Sequence, residues 1–135
     1  QNIHLIDDTI EKNISLGADI VKDKKEKLMS VIKKAQIEEL ISTLPKGMDT
    51  FIGEHGSNLS GGEKQKIGIA RALYRDPEIL IFDEVTSAMD LESEKKFVEE
   101  INKEYSDKTT IIVSHRLSAL KYCKKIFNMD NQFEN

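Results

Sequence analysis

Two stretches decide the architecture. ILIF (79–82) is apolar at every position, and TTIIVS (109–114) carries a second apolar run rich in β-branched residues. Strands that are apolar throughout are buried on both faces, the habit of parallel sheets covered by helices. Between them Phe97, Val98, Ile101 and Tyr105 recur at the spacing of one helix face, behind Asp90 at a capping position. Strand, helix and strand in this order predict a parallel α/β layer. RLSAL (116–120) reads as a short helix and KIFNMD (125–130) as a third strand.

The residues ahead of RDPE (75–78) have a different character. Leu28, Val31, Ile32 and Ala35 repeat at helix spacing, with Asp23 placed to cap the start. A second helix, about Ile37 to Thr43, is expected to stop at LPKG (44–47), where proline and glycine interrupt. DTFIGEHGSN (49–58) reads as loop, and NLSGGEKQKIGIARAL (58–73) begins a helix reaching about Arg75. KDKKEK (22–27) reads as a solvated helix face. The chain thus divides into a helical half, 1–75, and an α/β half, 76–135.

A length of 135 residues is enough for one domain with a real core. With 39% hydrophobic and 33% charged residues the composition is that of a soluble globular protein. A net charge of -4 argues against a general nucleic-acid binder, which needs a basic face. Cys123 is the only cysteine, so no intrachain disulfide forms. No apolar run approaches the roughly 20 residues that span a bilayer. No basic-then-apolar stretch opens the sequence, which reads as neither secreted nor membrane-spanning by itself, and it starts at Gln1 without methionine. These features read as a piece of something longer.

In open α/β sheets, ligands sit beyond the carboxyl ends of the strands. Asp83 and Glu84 follow one strand here, and Ser114 and His115 follow the other. An acid fixed at the end of an apolar strand is suited to holding Mg²⁺, and a second acid to polarising water. The plainer alternative is that Asp83 and Glu84 only begin a turn, and that His115 is an ordinary loop residue. Ser60-Gly61-Gly62-Glu63 also has two readings. It fits a capping box, serine at the N-cap and glutamate three positions on. The box needs neither glycine, and each costs about 1 kcal/mol against alanine inside a helix. Bare backbone N–H groups at a helix start admit a phosphate.

LSGGEKQKIGIARAL (59–73), ILIFDEVTSAMD (79–90) and IIVSHR (111–116) resemble, in order and spacing, the nucleotide-binding domain of ABC transporters. The resemblance covers nearly the whole chain. It implies an ABC-type P-loop NTPase fold: a helical subdomain, then a partial parallel sheet with flanking helices. It implies that residues 59–63 are the signature loop, that Asp83 is the Walker B aspartate and that Glu84 is the catalytic glutamate. Residues 87–90 resemble the D-loop, and His115 the switch histidine. QNIHLIDDTIEKNISLG (1–17) is similar to the segment at the Q-loop, which makes Gln1 that glutamine. IGEHG (52–56) resembles a loop of exporter-type members.

Catalysis is thereby expected of Glu84 and His115. Nucleotide contacts fall to Gln1, Ser60, Gly61, Gly62, Glu63, Asp83 and Asp90, and Mg²⁺ to Asp83 and Gln1. ATP, a second such domain paired head to tail, and transmembrane domains at the cytoplasmic face of a membrane are the implied cofactor and partners. Glu63 stands where glutamine is commoner, His55 replaces an arginine and Met89 a leucine. No stretch matches GxxxxGK(S/T), the loop that cradles β- and γ-phosphates. The expectation is a fragment, inactive alone, whose uncovered sheet makes it self-associate. The rival family reading is an ABC ATPase of DNA repair or chromosome structure. Such proteins carry a long coiled coil where residues 2–58 stand, and no sustained heptads occur there. A non-catalytic helical module is a further rival, opposed by the presence of both Glu84 and His115.

Overall fold

β1 (Ile79–Asp83) and β2 (Thr109–Val113) pair in parallel, Ile79 opposite Thr109 and Asp83 opposite Val113. This computed structural model describes residues 3–18, 23–87 and 89–128. The crossover between the strands is α5 (Leu91–Glu104), which turns Phe97, Val98 and Ile101 inward, with Tyr105 buried at its end. Leu80 and Phe82 point to that side, and the Phe82 ring meets Phe97 edge-on, centroids 5.4 Å apart. Aromatic pairs favour this geometry because the positive ring edge meets the negative face.

The opposite face of the pair is largely open. Ile79 and Ile81 are 58% and 65% exposed, and Ile111 and Val113 46% and 50%. Among the described residues one face is buried and the other open, which agrees with the uncovered sheet expected of a fragment. Among the described residues the sheet has two strands, so each also keeps an unpaired edge. Residues 125–128 of the expected third strand join no ladder, and Ile126 and Phe127 are exposed. Met129 and Asp130 lie outside the described residues. α6 (Leu117–Leu120) forms where the short helix was expected, and buries Ala119.

The helical half is built around α4 (Gly61–Tyr74), which buries Ile67, Ile69, Ala70, Leu73 and Tyr74. α1 (Ile10–Ile14) and α2 (Lys24–Lys34) pack against it, α2 through Leu28, Val31 and Ile32. Asp23 does precede α2, but it does not cap it. Its backbone is left-handed (φ 63°), and its side chain makes no bond to the first turn. A working cap needs an extended backbone that aims the oxygen at those N–H groups. α3 (Glu38–Thr43) ends just before Leu44 and Pro45, as expected. Residues 49–58 form no helix of any length, only 3₁₀ turns at Gly47–Asp49 and Glu54–Gly56.

One buried polar knot joins the first residues to α4. Asn13 is fully buried and donates to the carbonyls of Ile6 and Thr9, both at 3.0 Å. Its Oδ1 accepts from the Ile6 amide at 2.9 Å and from Arg71 Nη2 at 3.1 Å. Arg71 also donates to the carbonyls of Asn13 (2.8 Å) and His4 (2.9 Å). Burial, and then the charge of Arg75, push the Arg71 guanidinium below its ordinary pKa.

Gly68 lets the chain lie this close to α4. A Cβ there would sit 2.8 Å from Ile3 Cδ1 and 3.1 Å from both Cγ atoms. A β-branched side chain is stiff at χ1 and has little room to move aside. Alanine gains about 1 kcal/mol over glycine inside a helix, against about 1–3 kcal/mol for overpacking. Gly68→Ala is therefore expected to destabilise the chain, and the same change in an Ile3→Ala background to stabilise it. Urea unfolding of the four proteins checks this. The same sign in both backgrounds would show that Ile3 does not set the limit.

Candidate functional site

The parallel register sets the geometry at the carboxyl ends of the strands. Glu84 extends the ladder one step beyond Asp83, its N–H donating to the Val113 carbonyl at 3.0 Å. Its backbone is left-handed (φ 53°), a conformation that costs a side-chain-bearing residue roughly 1–2 kcal/mol. There the chain turns out of the sheet, and the Glu84 carboxylate reaches the loop after β2. Oε1 accepts from the His115 amide at 3.1 Å and lies 3.6 Å from His115 Nε2. The His115 side chain is 98% exposed and that of Glu84 28%. Asp83 is exposed at the strand end, and no hydrogen bond or ion pair among the described residues engages its carboxylate. The structure thus brings Asp83, Glu84 and His115 to one place.

After Glu84 the chain turns, Ser87 N donating to Glu84 O and Met89 N to Thr86 O. Asp90 follows, and caps α5 as expected by accepting from the amides of Glu92 (3.0 Å) and Ser93 (2.9 Å). The Ser93 hydroxyl adds a third bond, and these contacts bring the Asp90 carboxyl down to about 2, the hydroxyl contributing most.

At the start of α4 both halves of the capping box are present. Ser60 Oγ accepts from the Glu63 amide at 3.3 Å, and Glu63 Oε2 accepts from Ser60 N at 2.7 Å. Gly61 has no internal reason to be glycine, since a Cβ there would meet nothing within 4 Å. The box engages the amides of Ser60 and Glu63 and leaves those of Gly61 and Gly62, on the first turn, outside it. No hydrogen bond or ion pair among the described residues links Ser60–Glu63 to Asp83, Glu84 or His115. The glycine-rich start is a second, separate place on the surface. Gln65, one turn on, reaches Ser87 at 3.4 Å. Gln1 lies outside the described residues.

Sequence reasoning missed Arg116 and Glu94. Arg116 donates to three carbonyls of the 86–89 loop, and Glu94 is fully buried beside it. The signal was available. Glu94 falls on the face of Phe97, Val98 and Ile101, and a carboxylate in an apolar stripe demands a cationic partner.

Among the described residues, no three His, Cys, Asp or Glu side chains gather as a metal cage. The unengaged Asp83 carboxylate fits Mg²⁺ bound by one protein carboxylate and completed by phosphate and water oxygens.

These features define an α/β protein whose polar groups collect beyond the carboxyl ends of parallel strands. Residues 1–87 match the family model described as ABC transporter. The chain is 41% identical over 130 residues to the ATP-dependent lipid A-core flippase of Vibrio cholerae, a match covering 96% of this chain and 22% of the flippase. It is 46% identical over 123 residues to multidrug resistance protein pgp-1 of Caenorhabditis elegans, covering 91% and 9% respectively. The solved structure of a bacterial Atm1-family ABC exporter with ATP bound aligns with a TM-score of 0.80 at 42% identity, over 89% of this chain and 21% of that one. The chain belongs to the ABC transporter family, and its helices and parallel strands are part of that family's ATPase-domain fold. It spans about a fifth or less of the length of these relatives.

Asp90 gives this region a pH signature. Its folded pKa of about 2 lies below the unfolded value, which is about 3.9. Its stabilising contribution is complete above that unfolded value and is lost as pH falls from about 4 to about 2. Asn caps a helix as Asp does but does not titrate. Thermal midpoints of the wild type should therefore fall relative to Asp90→Asn across that window. Parallel curves would show that the Asp90 cap is not formed.

Proposed function

We propose that this chain carries the hydrolytic and signature elements of an ATP-driven ABC exporter. The observation that carries the reading is the placement of Asp83, Glu84 and His115 together at the ends of two parallel strands. The names of its relatives support the reading: a lipid A-core flippase, a multidrug resistance protein and, among solved structures, an ABC exporter. Asp83, together with Gln1, would hold Mg²⁺, which would supply positive charge against the phosphates. Glu84 takes the proton of the water that attacks the γ-phosphorus, as the bond to the bridging oxygen breaks. The His115 amide fixes one oxygen of that carboxylate, and the exposed His115 ring contacts the γ-phosphate.

Ser60, Gly61 and Gly62, with Glu63, belong to the other half of a composite site. In this reading they face ATP held by a second nucleotide-binding domain, paired head to tail, with Asp90 near the junction. The vacancy beside Gly61 supports it, because a phosphate can approach the bare amides there. Residues 1–75 and 76–135 act as two subdomains on the cytoplasmic face of a membrane, coupled to transmembrane domains. No helix among the described residues is long and apolar enough to cross a membrane. The 135-residue chain contains no phosphate-cradling loop and does not turn over ATP alone.

In the full-length protein Glu84→Gln should keep ATP binding and lose hydrolysis by about 10²–10⁴-fold, the usual worth of a general base. ATP binding and phosphate release are measured side by side. Turnover near the wild-type rate would remove Glu84 from this role.

The open sheet face supports self-association of the isolated chain, since uncovered strand edges and apolar faces invite another chain. Light scattering coupled to size exclusion at low micromolar concentration should give a dimer, and Ile81→Lys should convert it to monomer. A monomeric wild type with a sharp thermal transition would contradict this.

A further inference from the structure

Arg116 follows His115 directly, yet its side chain does not join the exposed histidine. It turns back beneath the loop after β1. Nη1 donates to the carbonyls of Met89 at 2.9 Å and Thr86 at 3.3 Å, and Nη2 to that of Ser87 at 3.0 Å. Its own amide donates to Ser114 Oγ at 3.0 Å. One guanidinium therefore satisfies three carbonyls of a loop whose Thr86 and Met89 are buried. A planar fork with several fixed donors suits this task, and a single ammonium does not.

Beneath the guanidinium lies Glu94, with no exposed surface. Its Oε2 accepts from the Ser118 hydroxyl, and its Oε1 lies 3.6 Å from Arg116 Nη1. Oε1 has no hydrogen-bond donor. A buried carboxylate is tolerated only beside a compensating charge, so Glu94 anchors the head of Arg116. The arrangement connects α5, α6, the 86–89 loop and the loop bearing His115. Glu84 lies two residues before the first of these loops and His115 precedes Arg116, and the two already touch.

We infer that Arg116, anchored on Glu94, is a positioning residue that holds the Thr86–Met89 loop and the Glu84–His115 pair in one fixed arrangement. The inference rests on the reading of Glu84 as the base of ATP hydrolysis. Holding a catalytic group in place acts on the chemical step, and misplacement by about 1 Å can cost about a hundredfold. Binding of ATP, carried by other groups, is left unchanged.

The test uses the full-length protein. Arg116→Lys and Arg116→Met should lower kcat for ATP by about ten- to a hundredfold, with KM held within about twofold, the mark of an interaction realised in the transition state. Arg116→Met also strands the Glu94 charge, so that variant will lose thermal stability. Arg116→Met/Glu94→Gln removes the charge pair together and should recover the thermal midpoint while kcat stays low. Recovery of kcat along with the midpoint would overturn the proposal, as would a rise in KM at constant kcat. Hydrogen exchange in the same double variant should quicken at the Ser87 and Met89 amides, and unchanged exchange would overturn the holding role whatever the activity. Wild-type turnover by Glu84→Gln would instead overturn the reading of the site, and the exchange result would still decide whether Arg116 holds the loop.

Discussion

The parallel register of β1 and β2 is the constraint on which the rest depends. With Asp83 opposite Val113, the next residue on each side is Glu84 or Ser114, and His115 follows. A slip of one residue would turn Leu80 and Phe82 away from Phe97 and send every side chain to the other face. It would also separate Glu84 from His115. The burial of Phe82 against α5 and the meeting of the acid with the histidine are thus one requirement seen at two ends of a strand.

Two local costs accompany that arrangement. Glu84 has a left-handed backbone that its side chain disfavours, and Glu94 keeps a carboxylate where no water reaches it. Both are tolerated because their surroundings over-determine them. The Glu84 amide remains in the ladder through Val113, and its carboxylate is held by the His115 amide. Glu94 is met by Arg116 and Ser118. Strain of this kind gathers at functional sites, and here both instances border one loop, residues 84–90.

Much of this was legible in the sequence because it follows from local rules. The capping box at Ser60 and Glu63, the cap at Asp90 and the inward face of α5 are set by spacing alone, and each is present. The strands were readable too, since unbroken apolar runs bounded by polar residues leave few other choices. What sequence could not give was the surroundings. Asp23 has the right chemistry for a cap but a left-handed backbone, and backbone angle is not written in residue type. The chain 125–128 has two apolar residues, yet a strand exists only where a neighbour accepts its ladder. Arg116 was passed over although Glu94, a carboxylate on the apolar face of α5, called for a cationic partner; its other partners are main-chain carbonyls, which no side-chain pattern announces.

The reach of the internal contacts bears on the order in which the chain assembles. Glu84 and His115 are separated by 31 residues, whereas Arg71 and Asn13 are 58 apart. Each doubling of a closed loop adds only about 0.6 kcal/mol of entropy, less than the roughly 1.5–3 kcal/mol gained by burying one Ile or Phe. Chain length therefore gives neither half a decisive lead. The earlier nucleus falls to whichever half gathers apolar surface in fewer closures. α5 lies between its two strands and needs only its own neighbours in sequence, whereas α1 must wait for α4.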